Sequence, residues 1–280
     1  MKHFHRLILL IALSWLIPLA GAAETAAPPA GPVYEPEVGQ EGRDVVWVPT
    51  PHALVEKMLD MAEVTPRDFV MDLGSGDGRN IIAAAKRGAR SLGVEYNPDL
   101  VEYARRAAER AGVADKARFV QGDMYEADIS RATVLALFLL TENLNQLVPK
   151  FLALRPGTRI VVNGFEIDGW TADAVDEAAG NCEDWCTAYL YIVPAKAAGR
   201  WRLPQGELVL RQSYQMLSGT LSTGGKAAPV EDAYLHGDFI TFRAGGRIYE
   251  GHVEGDILQG LNGAWSAKRL SRVASDVPGR

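Results

Sequence analysis

Between Phe69 and Phe165 short apolar runs alternate with longer segments of helical periodicity, and this alternation constrains the fold more than any other feature. The runs are Phe69–Leu73, Ser91–Glu95, Ala117–Gln121, Thr133–Leu140 and Thr158–Phe165. The helical segments are Asn80–Arg87, Pro98–Ala111 with Asn97 as its cap, and Leu144–Leu154. Strands apolar almost throughout are buried on both faces, the pattern of a parallel sheet between two layers of helices. Parallel neighbours need crossover connections, and these are right-handed. The expected class is therefore α/β, a doubly wound, Rossmann-like sheet. Ahead of it, Thr50-Pro51 predicts a helix start, with Thr50 as cap and Pro51 in the first turn.

The flanking regions differ in character. Lys2 and Arg6 precede Leu7–Gly21, apolar apart from Ser14 and Pro18, and small residues follow at Ala20–Ala23. That is the layout of a signal peptide over residues 1–23, and it predicts an exported, periplasmic protein. A spanning helix needs roughly 20 apolar residues, so no stable membrane span is expected after cleavage; an uncleaved anchor is the alternative. Residues 24–44, rich in Pro, Ala, Gly and Glu, read as a flexible linker. The α/β domain then occupies 45–195. Beyond it, residues 196–280 carry short runs separated by turn signals such as Ala244-Gly245-Gly246 and Asn262-Gly263. They predict a small antiparallel β-rich accessory domain, a sheet or half-barrel, with a packing or docking role.

Charge and cysteine content narrow the partners. A net charge of −6 argues against a bulk nucleic-acid partner. Cys182 and Cys186 either close a small disulfide or stay as two thiols; no histidine lies nearby to complete a zinc site, so no metal is expected.

The most informative stretch is Asp72-Leu73-Gly74-Ser75-Gly76-Asp77-Gly78-Arg79-Asn80, at the end of the first run. Ligands of open α/β sheets bind outside the carboxyl ends of the strands. A dinucleotide loop would place a small residue at position 79, where this chain has Arg79. Asp72 and Asp77 would also repel a pyrophosphate and suit a ligand carrying an ammonium group. Glu95 ends the second run, 23 residues after Asp72, where a carboxylate can accept from ribose hydroxyls. Gly122-Asp123-Met124 follows the third run: Asp123 can accept from an adenine amine while Met124 packs on the ring.

With those residues in view, 45–195 resembles the class I S-adenosylmethionine (SAM)-dependent methyltransferases, in particular their small protein-lysine methyltransferase group. That group includes archaeal broad-specificity enzymes and those acting on the ATP synthase c-subunit. The matching segments are Val48-Pro49-Thr50-Pro51, the glycine loop above, GVEYNP, GDMYEAD, ATVLALFLL and RPGTRIVVNGFEIDGW. The resemblance implies SAM as cofactor, bound by Asp72, Gly74, Ser75, Gly76, Glu95, Asp123 and Met124, with Pro49 and Thr50 over it and with residues after the fourth and fifth strands forming the target channel. It implies methyl transfer to an amine, foremost a protein lysine, with a small amine as the other acceptor class. Three departures stand out: the export signal, Asn163-Gly164 before Phe165-Glu166, and the β-rich tail. The alternative is an exported, non-catalytic binding module on a methyltransferase fold.

No catalytic residue stands out. Thr141, Glu142, Asn163 and Glu166 fall near strand ends, and each reads more readily as structural. After the fourth run no D/N-P-P-Y/W phrase occurs, which weighs against amide or adenine N6 methylation. Trp47, Trp170 and Trp201 read as packing residues, or as walls of an acceptor channel.

Overall fold

The computed structural model describes residues 34–179, 182 and 184–272; the expected signal peptide and the first part of the linker lie outside them. The α/β region runs α1 (His52–Met61), β1 (Phe69–Leu73), α2 (Arg79–Lys86), β2 (Arg90–Glu95), α3 (Pro98–Arg110), β3 (Ala117–Gln121), β4 (Val134–Leu137), α4 (Thr141–Phe151), β5 (Arg159–Asn163), β6 (Ala174–Glu177) and β7 (Thr187–Ile192). Its sheet has the order β3-β2-β1-β4-β5-β7-β6. The first five strands in that order are parallel. The sheet is mixed, however, because β7 runs antiparallel to both β5 and β6. All four residues of β6 are exposed, so the strand leaves no apolar signature in the sequence.

Strand alternation distributes the core to two faces. Val70, Val134, Ala136 and Val161 pack against α1–α3 through Leu54, Met58, Ile81, Ala84, Val101 and Ala104. Met71, Leu73, Leu135, Leu137, Ile160 and Val162 face α4 through Leu144, Leu147, Val148 and Phe151. β1 has β2 on one side and β4 on the other, so chain order reverses there and a crevice opens at the carboxyl ends of the strands.

Some boundaries move. The fourth run is a strand only over Val134–Leu137, because Phe138–Leu140 leave the sheet toward that crevice, and α4 begins at Thr141 rather than Leu144. Pro51, not Thr50, is the N-cap of α1; the Thr50 hydroxyl instead accepts from Asn163 Nδ2 at 3.3 Å. Asn97 caps α3 as its sequence predicts, accepting from Asp99 N at 2.9 Å.

The C-terminal strands are β8 (Gly199–Leu203), β9 (Gly206–Ser213), β10 (Met216–Thr223), β11 (Lys226–His236), β12 (Phe239–Ala244), β13 (Arg247–Glu254), β14 (Ile257–Gly260) and β15 (Ser266–Ser271). They form a closed antiparallel barrel rather than a half-barrel, because β15 pairs with β8. Trp201, Leu208, Leu210, Leu235, Ile240 and Phe242 fill its interior. The Arg269 guanidinium lies 3.8 Å over the Trp201 ring and donates to Ala198 O at 2.7 Å. The turn between β9 and β10 fastens the barrel to the α/β region: Tyr214 stacks on Trp170 at 4.9 Å, and Gln215 Nε2 donates to Thr171 O at 2.6 Å. Trp170 and Trp201 are thus buried packing residues. Among the described residues no helix is long and apolar enough to cross a membrane.

Candidate active site

The loop between β1 and α2 bends through three left-handed glycines, Gly74, Gly76 and Gly78, with φ of 75°, 53° and 83°. L side chains rarely adopt that region, so the turn depends on glycine. Gly74 N and Ser75 N both donate to Val94 O, at 2.8 and 3.1 Å, which hangs the loop from β2. Glu95 secures its far side by accepting from Gly76 N and from Asn97 N, each at 2.9 Å. One lone pair on each carboxylate oxygen remains for a ligand. A Cβ on Gly76 would come within 2.5 Å of Trp47 Nε1, so the indole lies directly on the loop. Trp47 therefore belongs to the crevice wall. The Ser75 hydroxyl turns inward against Gly93, leaving this residue's backbone as its contact surface toward the crevice.

Asp72 is the unusual group. It is buried, and burial pushes its carboxyl well above the usual carboxylate range; the Asn80 amide pulls it down, while the charges of Glu95 and Asp77 raise it further. Asn80 Nδ2 donates to Asp72 Oδ2 at 3.0 Å. Asp72 Oδ1 is buried with no hydrogen-bond partner. A lone acceptor in an acidic corner suits a cation, and at hydrogen-bond range an ammonium.

Asp77 does not share that role. Arg79 binds it through Nε at 3.0 and 3.1 Å and through Nη2 at 2.6 Å, and also donates from Nη1 to Thr50 O at 2.5 Å. The residue that spoils a dinucleotide fingerprint is thus a tie between the loop and the segment before α1. Asp72 alone is left to meet an ammonium.

Residues 34–47, expected to lie mostly in a flexible linker, form a strap over the crevice. Gly39 N donates to Trp47 O at 2.9 Å, and Trp47 N to Gln40 O at 3.0 Å. Arg43 Nη1 donates to Asp123 Oδ2 at 2.6 Å, and Tyr125 N donates to Asp123 Oδ1 at 2.8 Å. These contacts, the Tyr125 amide first, hold the Asp123 carboxyl below its usual range. Met124 is buried against the same wall. Strap, glycine loop, Glu95, Asp123, Pro49 and Thr50 enclose a solvent-open crevice of about 930 Å³. The crevice thus brings together every residue predicted to bind the cofactor. Neither role is foreseen by the motifs: Asn80 closes the glycine motif with no partner assigned to it, and Arg43 lies in a polar stretch without periodicity.

The candidates for acceptor chemistry separate. Asn163 is fully buried, and its Oδ1 has no partner while its Nδ2 meets Thr50 at the crevice edge. Thr141 Oγ1 donates to Glu166 O at 3.1 Å, a structural link between α4 and the segment after β5. Glu142 and Glu166 are exposed. Cys182 and Cys186 form a disulfide.

Fold and crevice define the class as a SAM-dependent methyltransferase, and comparisons with known proteins agree. The family model of the ANTKMT methyltransferase domain matches residues 72–174. A protein-lysine N-methyltransferase of Saccharolobus islandicus is 44% identical over 153 residues, covering 53% of this chain and 94% of the relative. The ATP synthase c-subunit lysine N-methyltransferase of Mus musculus is 37% identical over 45% of this chain, which spans only 51% of that protein. A solved RNA methyltransferase from Salinibacter ruber, in complex with S-adenosyl-L-homocysteine, is 44% identical over 52% of this chain and 94% of its own, with a TM-score of 0.49. The chain belongs to the family of class I SAM-dependent methyltransferases that contains the Saccharolobus enzyme.

Proposed function

We propose that this chain transfers a methyl group from SAM to the side-chain amine of a protein lysine. The observation that carries the reading is the open Oδ1 of buried Asp72 at the switch point of the sheet. In this reading Asp72 accepts from the ammonium of the cofactor, and the backbone of Gly74, Ser75 and Gly76 makes room for its approach. Glu95 accepts from the ribose hydroxyls, Asp123 from the adenine amine, and Met124 packs on the adenine ring. Pro49 and Thr50 lie over the cofactor. The bound sulfonium supplies a methyl carbon open to displacement by an amine lone pair.

The remaining work of the chain is to align the amine and let it shed a proton. A free lysine has a pKa of about 10.4, and apolar surroundings lower it. Phe138 and Leu139, at the crevice edge, supply such surroundings. Two relatives that are lysine N-methyltransferases support the lysine acceptor, and the net charge of −6 supports a protein over a nucleic acid. Export of the mature chain is part of the same reading, supported by Lys2, Arg6 and Leu7–Gly21 and by the disulfide, since disulfides persist in oxidising compartments. N-terminal mapping of protein recovered from cell fractions tests that part.

Incubation with labelled SAM and lysine-containing proteins, followed by mass spectrometry, tests the transfer. Methyl groups on lysine Nζ that disappear with Asp72→Ala are expected. Label on other side chains, or label unaffected by Asp72→Ala, would overturn the assignment.

A further inference from the structure

Between β6 and β7 the Cys182–Cys186 disulfide closes a short loop that presents Trp185. Trp185 has φ of 57°, a left-handed backbone that a bulky residue keeps only where its surroundings hold it. Its indole is nonetheless 45% exposed. The disulfide ties the residues on either side of Trp185, and two rings hold the indole. Trp185 packs on Phe165 at 4.9 Å and on Phe138 at 5.9 Å, while Phe138 and Phe165 stack at 6.1 Å. Gly164, with φ of 70°, completes the seat: a Cβ there would come within 2.9 Å of Trp185 Cε3.

The location gives this cluster a use. Phe138 follows β4 and lines the cofactor crevice, and Phe165 follows β5. The three rings therefore run outward from the crevice to solvent at the carboxyl ends of two adjoining strands. Carboxylates accompany them: Glu166 follows Phe165 and lies beside the Tyr189 hydroxyl, and exposed Asp184 precedes Trp185. Ring faces attract alkylammonium groups through their quadrupole, and neighbouring carboxylates add to that attraction. An apolar core residue would be covered; Trp185 is exposed, and Phe138 and Phe165 beneath it are half-buried.

We infer that Trp185 extends the aromatic wall of Phe138 and Phe165 along the path by which the acceptor's lysine side chain enters, and that the Cys182–Cys186 disulfide is the brace keeping Trp185 in that wall. The inference rests on the lysine-transfer reading above. It makes Trp185 a residue that selects for a cationic acceptor, and it makes acceptor recognition, but not cofactor binding, dependent on the disulfide.

The test uses the oxidised full chain with an acetylated, amidated peptide containing one lysine. Its norleucine counterpart keeps the alkyl chain and lacks the charge. Binding is read with S-adenosylhomocysteine present and turnover with SAM. Trp185→Ala is expected to raise the acceptor KM about tenfold, with Trp185→Phe recovering most of the loss. Cys182→Ser/Cys186→Ser and reductant-treated wild type should show the same rise, while SAM affinity holds and the protein stays folded at the assay temperature, with a lowered melting temperature. Lysine-peptide binding falls in parallel, and the norleucine peptide binds weakly to every form. Unchanged KM and peptide binding in Trp185→Ala would overturn the wall, as would equal loss for both peptides. Reduction without effect would overturn the brace. If wild type binds the lysine peptide through Trp185 but never methylates it, the wall stands and the transfer reading fails.

Discussion

Arg43 donates to Asp123 at 2.6 Å while its guanidinium lies 4.6 Å over the Tyr96 ring, so the strap holds the carboxylate that the cofactor's adenine would use. The two residues stand 80 positions apart, and their pairing closes the crevice over β2 and β3. Exposed ion pairs are weak and salt-screened, so the strap opens easily. Arg43→Ala should therefore tighten SAM binding about two- to fivefold, measured by calorimetry. Weaker binding would mean that Arg43 holds the cofactor instead of competing with it.

Asp72 gives the site a pH signature. Its folded pKa is raised, chiefly by burial. A carboxyl raised in this way is most favourable to folding below its unfolded pKa of about 3.9, and that contribution is lost as pH rises through the folded value. Asp72→Asn should thus raise the melting temperature of the ligand-free protein at neutral pH, and the gap should close in acid. A cation beside Asp72 favours its ionised form, so SAM binding should release a proton below the raised pKa. Calorimetry in buffers of different ionisation enthalpy reads that proton; heats independent of buffer would contradict the arrangement.

A second buried carboxylate serves stability. Asp68 accepts from Thr65 N at 2.8 Å, from Thr65 Oγ1 at 2.9 Å and from Thr133 Oγ1 at 2.8 Å, and it pairs with Arg159. Burial pushes its carboxyl up, but these hydrogen bonds and the Arg159 charge together bring it below the usual range. Its contribution is present above the unfolded pKa and lost as pH falls through the folded one. Asp68→Ala, which leaves Arg159 without its partner, should cost about 3 kcal/mol in denaturant titration. The penalty should shrink in acid.

The aromatic part of the barrel's attachment is one stacked pair, Tyr214 on Trp170, with Tyr214 OH donating to Asp168 O at 3.2 Å. Tyr214→Ala should remove about 3 kcal/mol and separate the melting of the barrel from that of the α/β region in a calorimetric scan. A single transition shifted by less than a degree or so would show that the contact matters little.

The residues explain what could be read in advance. β1, β2 and the glycine loop follow from local rules: buried runs, turn residues and strand-end acids lie contiguous in sequence. β6 escaped because its side chains face solvent, and the barrel's closure escaped because β8 and β15 meet only in space, 63 or more positions apart between Leu203 and Ser266. The acids proposed to bind the cofactor were legible for the same local reason. Their partners were not: Arg43 reaches Asp123 across the fold, Arg79 neutralises Asp77, and Trp185 joins Phe138 and Phe165 only once β5 and β7 pair.

The most direct test of the central claim is calorimetric titration of the protein with SAM and with S-adenosylhomocysteine, with Asp72→Ala beside it. The structure predicts saturable one-site binding of both compounds, lost in the variant while its fold is retained. No binding at millimolar SAM, or equal binding by Asp72→Ala, would contradict a cofactor site built on Asp72.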